Sequence, residues 1–361
     1  MCSIPDLRQS RKFAEILCWL MFAICLQACS SGDGTKIPDV SHIKVDVELT
    51  RFEQLLLADT MISAADIYRI QQEHPAFAEI YFRYVVPAGD DLQTTEDDEG
   101  EIARLQEWIR HPRTRWLYDT VQTIFPDVSF LEKDLETTFK YARYYFPETN
   151  PPKVYTTISD FGYFPFLYAE DSLRDGIGIS LELFLGEDFP YRTYTGLNNA
   201  FSDYLIRSYN RDHMVRRVLE VWIEDLAGPP PGNRLIDYMI HNGKKLFIME
   251  SLMPNVSDTV IMDYSLEKMN WAKTHERDIW YHFTTGGWLY ETAMTKIQKY
   301  IGPSPSSPGM PRESPGNTGS WLGWQIVRAY MKKHPEVSLK DLLKLDDAQK
   351  ILDMSGYRPP R

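Results

Sequence analysis

"GMPRESPGNTGSWLGWQIV", running from Gly309 to Val327, decides how this chain folds, because prolines and glycines lead directly into a strongly apolar segment. Placed on a helix from Ser320 to Lys333 at about 100° per residue, the segment has one narrow polar strip, and apolar side chains cover almost all of the remaining circumference. The spacing therefore predicts a helix that is buried on most of its sides. Gly323 predicts a close approach by a neighbouring helix, since glycine carries no side chain.

The loop before this helix is the candidate functional feature of the sequence. A helix enclosed on most sides must be entered at a fixed angle, so a stiff Pro/Gly approach predicts a structural clamp. We predict that Arg312, Glu313 and Arg328 form ion pairs across this entrance. Loops of more than about a dozen residues are often functional, so a ligand site in the loop stays open as the alternative. The candidate interaction or clamp residues are Arg312, Glu313, Trp321, Trp324, Gln325 and Arg328.

The rest of the chain predicts many helices and few strands. Apolar residues at every second position from Ile43 to Leu49 predict a half-buried strand, and β-rich runs begin at Lys153 and Gly176. A turn-rich stretch near Asp171 favours a meander or a hairpin in a small sheet. Amphipathic patterns recur along most of the remaining chain. The fold class is therefore predicted as α+β, mostly α, with many helices around a small sheet.

The N-terminus has the pattern of an export signal. Arg8, Arg11 and Lys12 precede an apolar run from Ile16 to Leu26, which is too short to span a bilayer but suits the apolar core of a secretory signal. The run ends in LQAC at Cys29, which resembles the lipobox of bacterial lipoproteins and implies cleavage before this cysteine and acylation of its thiol. The predicted organisation is a lipoprotein signal peptide at 1–28, a flexible tether at 29–40 and a single globular domain at 41–361.

Composition and missing motifs exclude several classes of function. The formal net charge of −12 argues against a nucleic-acid partner, which needs a basic surface. All four cysteines lie at or before Cys29, so the mature chain has neither a disulfide framework nor a thiolate metal site. No HExxH motif occurs, and His275 and His282 are about 10 Å apart by helical rise, which is too far to share one metal ion. We therefore expect no catalytic residue, no metal and no cofactor, and we expect Glu220 and Glu224 to be solvated surface.

Several blocks of the sequence resemble one known family. They include GISLELFLGEDFPYRTY, LIDYMIHNGKKLFIMESLMPNVSD and GMPRESPGNTGSWLGWQIVRAYMKKHPEVSLKDLL, which keep one order along nearly the whole mature chain. In these blocks the chain resembles the gliding-motility-associated lipoprotein GldB family of the Bacteroidota. The resemblance implies a non-catalytic interaction protein of the cell envelope, lipid-anchored at the outer membrane and facing the periplasm. The implied partners are the membrane, through the lipid on Cys29, and other envelope proteins of the gliding and type IX secretion machinery.

That family also resembles, more distantly, zincin-like putative proteases. Their HExxH helix corresponds to MVRRVLEVWIEDLAG here, where Val218, Leu219 and Trp222 stand in the neighbourhood of the metal ligands. This likeness implies a degenerate zincin-like scaffold without its metal. Two alternatives stay open: a metal-dependent hydrolase with a non-standard site on that scaffold, and a glycan- or nutrient-binding surface lipoprotein, which the nine tryptophans and twenty-one tyrosines suggest.

Overall fold

The computed structural model describes residues 37–86, 99–196 and 201–360. The predicted signal peptide, Cys29 and the tether up to residue 36 lie outside these described residues. Within the described residues the chain forms seventeen α-helices and one small four-stranded mixed sheet. This confirms the predicted α+β class with mostly helical content.

Local sequence signals explain where many of the helices begin. Proline stands at the first helical position of the helices that start at Pro75 and Pro112, where its missing N–H costs nothing. Ser63 and Ser338 cap two other helices by accepting a backbone N–H with the side chain. In chain order the helices are α1 (Phe52–Leu57), α2 (Ala64–Glu73), α3 (Pro75–Ile80), α4 (Glu99–Arg110), α5 (Pro112–Ile124), α6 (Ser129–Tyr145), α7 (Tyr191–Thr195), α8 (Asp203–Ile206), α9 (Met214–Ala227), α10 (Leu235–Leu252), α11 (Asp258–Met262), α12 (Leu266–Thr274), α13 (Glu276–Thr285), α14 (Met294–Ile301), α15 (Thr318–Lys333), α16 (Leu339–Leu343) and α17 (Ala348–Ser355).

The sheet is mixed rather than a simple meander. Its strands are β1 (Leu49–Arg51), β2 (Lys153–Thr157), β3 (Phe166–Ala169) and β4 (Asp175–Ser180), in the spatial order β1-β2-β4-β3. β1 and β4 run parallel to β2, whereas β3 and β4 form an antiparallel hairpin. The expected meander is therefore limited to that hairpin. The six helices from α1 to α6 separate β1 from β2, and a crossover of this length permits a parallel pair.

The strand predicted from Ile43 to Leu49 has the expected alternation of buried and exposed side chains, but most of it is not paired with another strand. Val45 and Val47 are buried while the residues between and beside them are exposed, as the alternation predicts. Pairing with β2 is confined to the end of this stretch, at Leu49–Arg51. The residues before it lie outside the paired strand, so the period of two reflects alternating burial of the side chains there and not a ladder of hydrogen bonds.

Two long helices, α10 and α15, form the centre of the helical part. Their backbones touch where Gly243 of α10 faces Gly323 of α15. A Cβ atom added at Gly323 would lie 1.8 Å from the carbonyl oxygen of Met239, and one added at Gly243 would lie 2.4 Å from the carbonyl carbon of Gly323. This confirms the predicted close approach at Gly323. Trp321 and Trp324 flank the contact and are fully buried.

The approach to α15 is fixed from several sides, as the stiff loop predicts. The helix begins at Thr318, two residues before the predicted start, after Asn317 in the left-handed conformation with φ 57°. The hydroxyl of Tyr264 donates to the carbonyl oxygen of Gly316 at 2.6 Å. The Lys268 ammonium donates to three successive loop carbonyls, at 3.3, 2.9 and 3.0 Å, on Arg312, Glu313 and Ser314.

A buried carboxyl, Glu182, joins the segments that follow β2 and β4. Its Oε1 accepts from the backbone N–H and the hydroxyl of Ser159, each at 2.7 Å, and from the N–H of Phe161 at 3.1 Å. Asp160 and Phe161 have φ values of 51° and 67°, which are unfavourable for residues other than glycine. Glu182 Oε2 has no hydrogen-bond partner, and burial raises the pKa of this carboxyl to about 7. The three donated bonds therefore hold a strained turn in place.

The Gly323→Ala substitution tests the contact between α10 and α15. Alanine favours a helix interior by about 1 kcal/mol over glycine, so an unhindered site would be stabilised. Here the added Cβ meets a backbone carbonyl, and we expect the free energy of unfolding to fall by about 2 kcal/mol. Urea unfolding measures the change, with Lys332→Ala on the exposed face of α15 as the control. A G323A protein as stable as the wild type would contradict the contact.

The Glu182→Gln substitution tests the buried carboxyl through pH. The folded protein retains the Glu182 proton up to about pH 7, whereas the ordinary carboxyl pKa is 4.5. Wild-type stability should therefore fall as pH rises through this window, by up to about 3 kcal/mol. E182Q keeps an acceptor oxygen and cannot ionise, so it should lose this dependence. Urea unfolding at about pH 5 and pH 8 measures it. The exposed Glu313→Gln should behave as the wild type, and an unaltered dependence in E182Q would refute the assignment.

Candidate functional site

Arg328 of α15 forms the centre of a clamp between three helices. Its Nε and Nη2 donate to the two carboxylate oxygens of Glu250, on α10, each at 2.9 Å. Nη2 also donates to Asp258, the first residue of α11, at 2.7 Å. The guanidinium carbon lies 3.7 Å from the ring centre of Trp324, whose indole N–H donates to Glu250 at 2.9 Å. Two carboxylates and an aromatic face thus hold one guanidinium in a fixed orientation.

The predicted ion pairs among Arg312, Glu313 and Arg328 do not form. The side chains of Arg312 and Glu313 are exposed, and it is their backbone carbonyls that Lys268 binds. Arg328 instead reaches Glu250 and Asp258, which stand 78 and 70 residues away in the sequence. Spacing within one helix indicates which face a residue occupies, but it cannot identify a partner on another helix. Gln325 and Trp321 lie on the same helix, and the Trp321 indole N–H has no partner among the described residues.

A second feature is a pocket of about 410 Å³, here called the α9–α10 pocket. It lies between α9, α10 and the loop from Gly302 to Asn317 that joins α14 to α15, which we call the Pro/Gly loop. Both charged and apolar side chains line it. The charged lining residues are Asp203, Arg207, Arg216, Arg217, Glu220, Glu224, Lys245, Asp263 and Lys268, and the apolar ones include Ile223, Leu246, Met249, Met262 and Ile301. The loop contributes Gly302 to Pro305 and Pro315 to Asn317, so it forms one wall of a cavity as well as guiding the chain into α15.

Asp263 organises the charged part of the α9–α10 pocket. Arg207 and Arg217 each bind its carboxylate at 2.8 Å. Burial works against the Asp263 charge, but the surrounding arginines outweigh it and hold the pKa of this carboxyl below its ordinary value. Arg216 and Arg217 also share Glu220, at 2.6 and 2.9 Å. The Nε of Arg217 is buried and has no acceptor.

Glu220 and Glu224 are accessible to solvent, as expected, and they also pair with basic side chains. They line the α9–α10 pocket, and each is engaged by basic side chains: Glu220 by Arg216 and Arg217, and Glu224 by Lys245. Their side chains are 44% and 57% exposed, so solvent reaches both. Sequence spacing placed the two on one helix face correctly. Arg216 and Arg217 precede Glu220 by about one turn of α9, so their pairing follows from spacing within one helix. Lys245 belongs to α10, and its pairing with Glu224 depends on how the two helices pack.

The positions that the zincin likeness assigns near metal ligands belong to the core. Val218, Leu219 and Trp222 are buried on the face of α9 opposite the pocket-lining residues. Trp222 packs edge-on against Phe139 and Phe146 of the α6 region. Within the described residues, no group of three or more histidine, cysteine or carboxylate side chains is arranged to hold a metal ion. In the same part of the chain, no helix combines the length and apolarity needed to cross a bilayer.

Comparison with known proteins gives one match. No curated protein and no solved structure matches the chain. The family model described as gliding motility protein GldB matches residues 33–359, which spans α9, α10, the Pro/Gly loop and α15. The match covers nearly all of the chain, in agreement with the resemblance of the sequence blocks. The chain therefore belongs to the gliding motility protein GldB family.

Proposed function

We propose that this chain is a lipid-anchored, non-catalytic component of the gliding and type IX secretion machinery, held at the outer membrane on its periplasmic side. The single observation that carries the proposal is the GldB family match over residues 33–359. Family membership concerns gliding motility, and the role within secretion is our extension of it. In this role the protein acts by binding other envelope proteins while its lipid holds it at the membrane.

The N-terminal sequence supports the anchor. A basic segment, an apolar run and LQAC ending at Cys29 follow one another in the order of a bacterial lipoprotein signal. A diacylated or triacylated cysteine would give stable attachment, because each buried CH₂ contributes about 0.8 kcal/mol. The net charge of −12 opposes attachment to an anionic lipid surface through side chains alone. Attachment therefore depends on acylation of Cys29.

The state of the titratable groups supports a binding role over a catalytic one. Asp263 and Glu220 accept hydrogen bonds from guanidinium groups, and the lowered pKa of Asp263 makes it a weak proton acceptor near neutral pH. Burial lowers the pKa of the neighbouring His213 to about 4, so this side chain is also a weak base. Glu182 has a pKa of about 7, which suits acid–base catalysis, but the side chain is completely buried. Among these four side chains, none thus joins a pKa that suits proton transfer to an accessible position.

The anchor is tested by Cys29→Ala in the native host. We expect the wild-type protein in the outer-membrane fraction, and we expect C29A to leave that fraction and to lose secretion of type IX cargo. Cys25→Ala is the matched control, because this cysteine lies in the apolar run that cleavage removes and its loss should change neither readout. Affinity purification of the wild type from membranes should recover envelope proteins of the machinery, and C29A should recover them less well.

Two outcomes would oppose the proposal. Normal membrane attachment and secretion in C29A would refute the lipid anchor. Elemental analysis of the purified protein distinguishes the hydrolase alternative, since a zinc-dependent hydrolase retains about one zinc per chain through dialysis. Such a zinc content, lost together with secretion on chelation, would replace the binding role by a catalytic one.

A further inference from the structure

We propose that the α9–α10 pocket binds a small anionic amphiphile, meaning a carboxylate or phosphate head group on an apolar chain. This inference goes beyond the proposed role, which concerns protein partners and membrane attachment. It rests on three properties of the pocket: its excess of basic groups, the low exposure of several of those groups, and the apolar side chains in the same lining.

Basic side chains outnumber acidic ones in the α9–α10 pocket, although the chain as a whole carries a net charge of −12. The lining includes four acidic residues, and one of them, Asp203, is 88% exposed and pairs with Arg192, outside the lining. The remaining acidic groups are Glu220, Glu224 and Asp263. Five basic groups face them: Arg207, Arg216, Arg217, Lys245 and Lys268.

The excess charge is located where solvent screens it poorly. The Arg216 and Arg217 side chains are 8% and 14% exposed, and the buried Nε–H of Arg217 has no acceptor. Lys268 donates to three neutral carbonyl oxygens of the loop, so the described contacts leave its charge without a carboxylate. Charges in a cleft with low-dielectric walls focus their potential on the interior. The pocket is therefore expected to attract an anionic group.

The apolar part of the pocket determines the rest of the ligand. Ile223 of α9, Leu246 and Met249 of α10, and Met262 and Ile301 lie in the same lining as the basic groups. Prolines of the loop add further apolar surface. The volume of about 410 Å³ falls in the range of about 300–1,000 Å³ that is usual for small-molecule sites. An apolar chain attached to an anionic head group matches this combination of surfaces.

A cationic ligand fits the same pocket less well. It would have to displace Arg216 and Arg217 from Glu220, or Lys245 from Glu224, to reach a carboxylate. Breaking such a pair leaves a basic side chain without its carboxylate, which opposes the binding of a cation. An anion can approach the basic groups without breaking any of these contacts.

Isothermal titration with four probes of one chain length tests the proposal. The probes are octanoate, octyl phosphate, octanol and octyltrimethylammonium, with the ionic probes below their micelle concentrations and octanol below its solubility limit. The protein is the full chain with Cys29→Ala, which has no acyl group of its own to compete for the pocket. We expect saturable binding of about one anion per chain, and binding of octanol and the cation weaker by at least about tenfold. The ratio of octanoate to octyl phosphate affinity distinguishes a carboxylate from a phosphate ligand.

Substitutions locate the binding. Arg217→Gln should weaken binding of both anions by at least about tenfold, with thermal melting as the check on folding. If R217Q does not fold, Lys245→Gln at the rim decides, and it should weaken binding several-fold. Arg69→Gln, which removes one exposed positive charge on α2, should bind as the parent does.

Three results would each contradict the proposal. The proposal is wrong if neither anion binds the folded parent protein. It is also wrong if octanol binds as tightly as the anions, or if the affinity is unchanged in K245Q and in a folded R217Q. None of these outcomes affects membrane attachment or secretion, so the proposed function is judged separately.

Discussion

The backbone contact between Gly243 of α10 and Gly323 of α15 is the constraint on which the helical part of this structure depends. No side chain fits between the two helices at that point, because a Cβ on either glycine would overlap the backbone of the other helix. The contact fixes how closely α15 packs against α10. Asn242, next to Gly243, then donates to the carbonyl oxygen of Ile301 and to the Ser320 hydroxyl, at 3.0 and 2.8 Å. The end of α14 and the start of α15 are therefore held to the same point of α10.

That arrangement explains the length of the loop between α14 and α15. Because α14 ends and α15 begins beside the same point of α10, the residues between them must leave this point and return to it, and this excursion is the long loop. Tyr264 and Lys268 hold this excursion through its carbonyl oxygens, and the loop becomes one wall of the α9–α10 pocket. The structural and the ligand-binding interpretations of the loop are consequently compatible. The same backbone that guides the chain into a buried helix also borders a cavity.

The two arginine networks of the protein differ in their charge balance. Around Arg328 the charges balance. The two carboxylates are Glu250 and Asp258, and the two positive groups are the guanidinium and Lys273, which binds Asp258 at 2.9 Å. Such a balanced cluster adds little net potential and serves mainly to fix orientation. Around Asp263 the basic groups exceed the acidic groups, and Arg216 is buried while Arg217 is only slightly exposed. Similar residue types thus give a clamp in one place and a positive cavity in the other.

Local patterns in the sequence predicted the parts of this fold that depend on one element at a time. Period 3.6 gave α15, its buried faces and the role of Gly323, and period 2 gave the burial of Val45 and Val47.

The partners of Arg328 and the arginines around Asp263 were not predictable in this way, because they join segments whose proximity is created by packing of several helices. Glu182 was missed for the same reason, since nothing near it in the sequence shows that its carboxyl accepts from Ser159. The α9–α10 pocket illustrates the general limit: its residues come from α9, α10, the segment around α11 and the Pro/Gly loop, and no local pattern in any one of them indicates that they meet. A net charge of −12 likewise describes the whole chain and conceals a cavity of the opposite sign. Charge summed over a sequence therefore constrains how the body meets a membrane or a nucleic acid, whereas the recognition of a small ligand depends on the few charges that the fold removes from solvent.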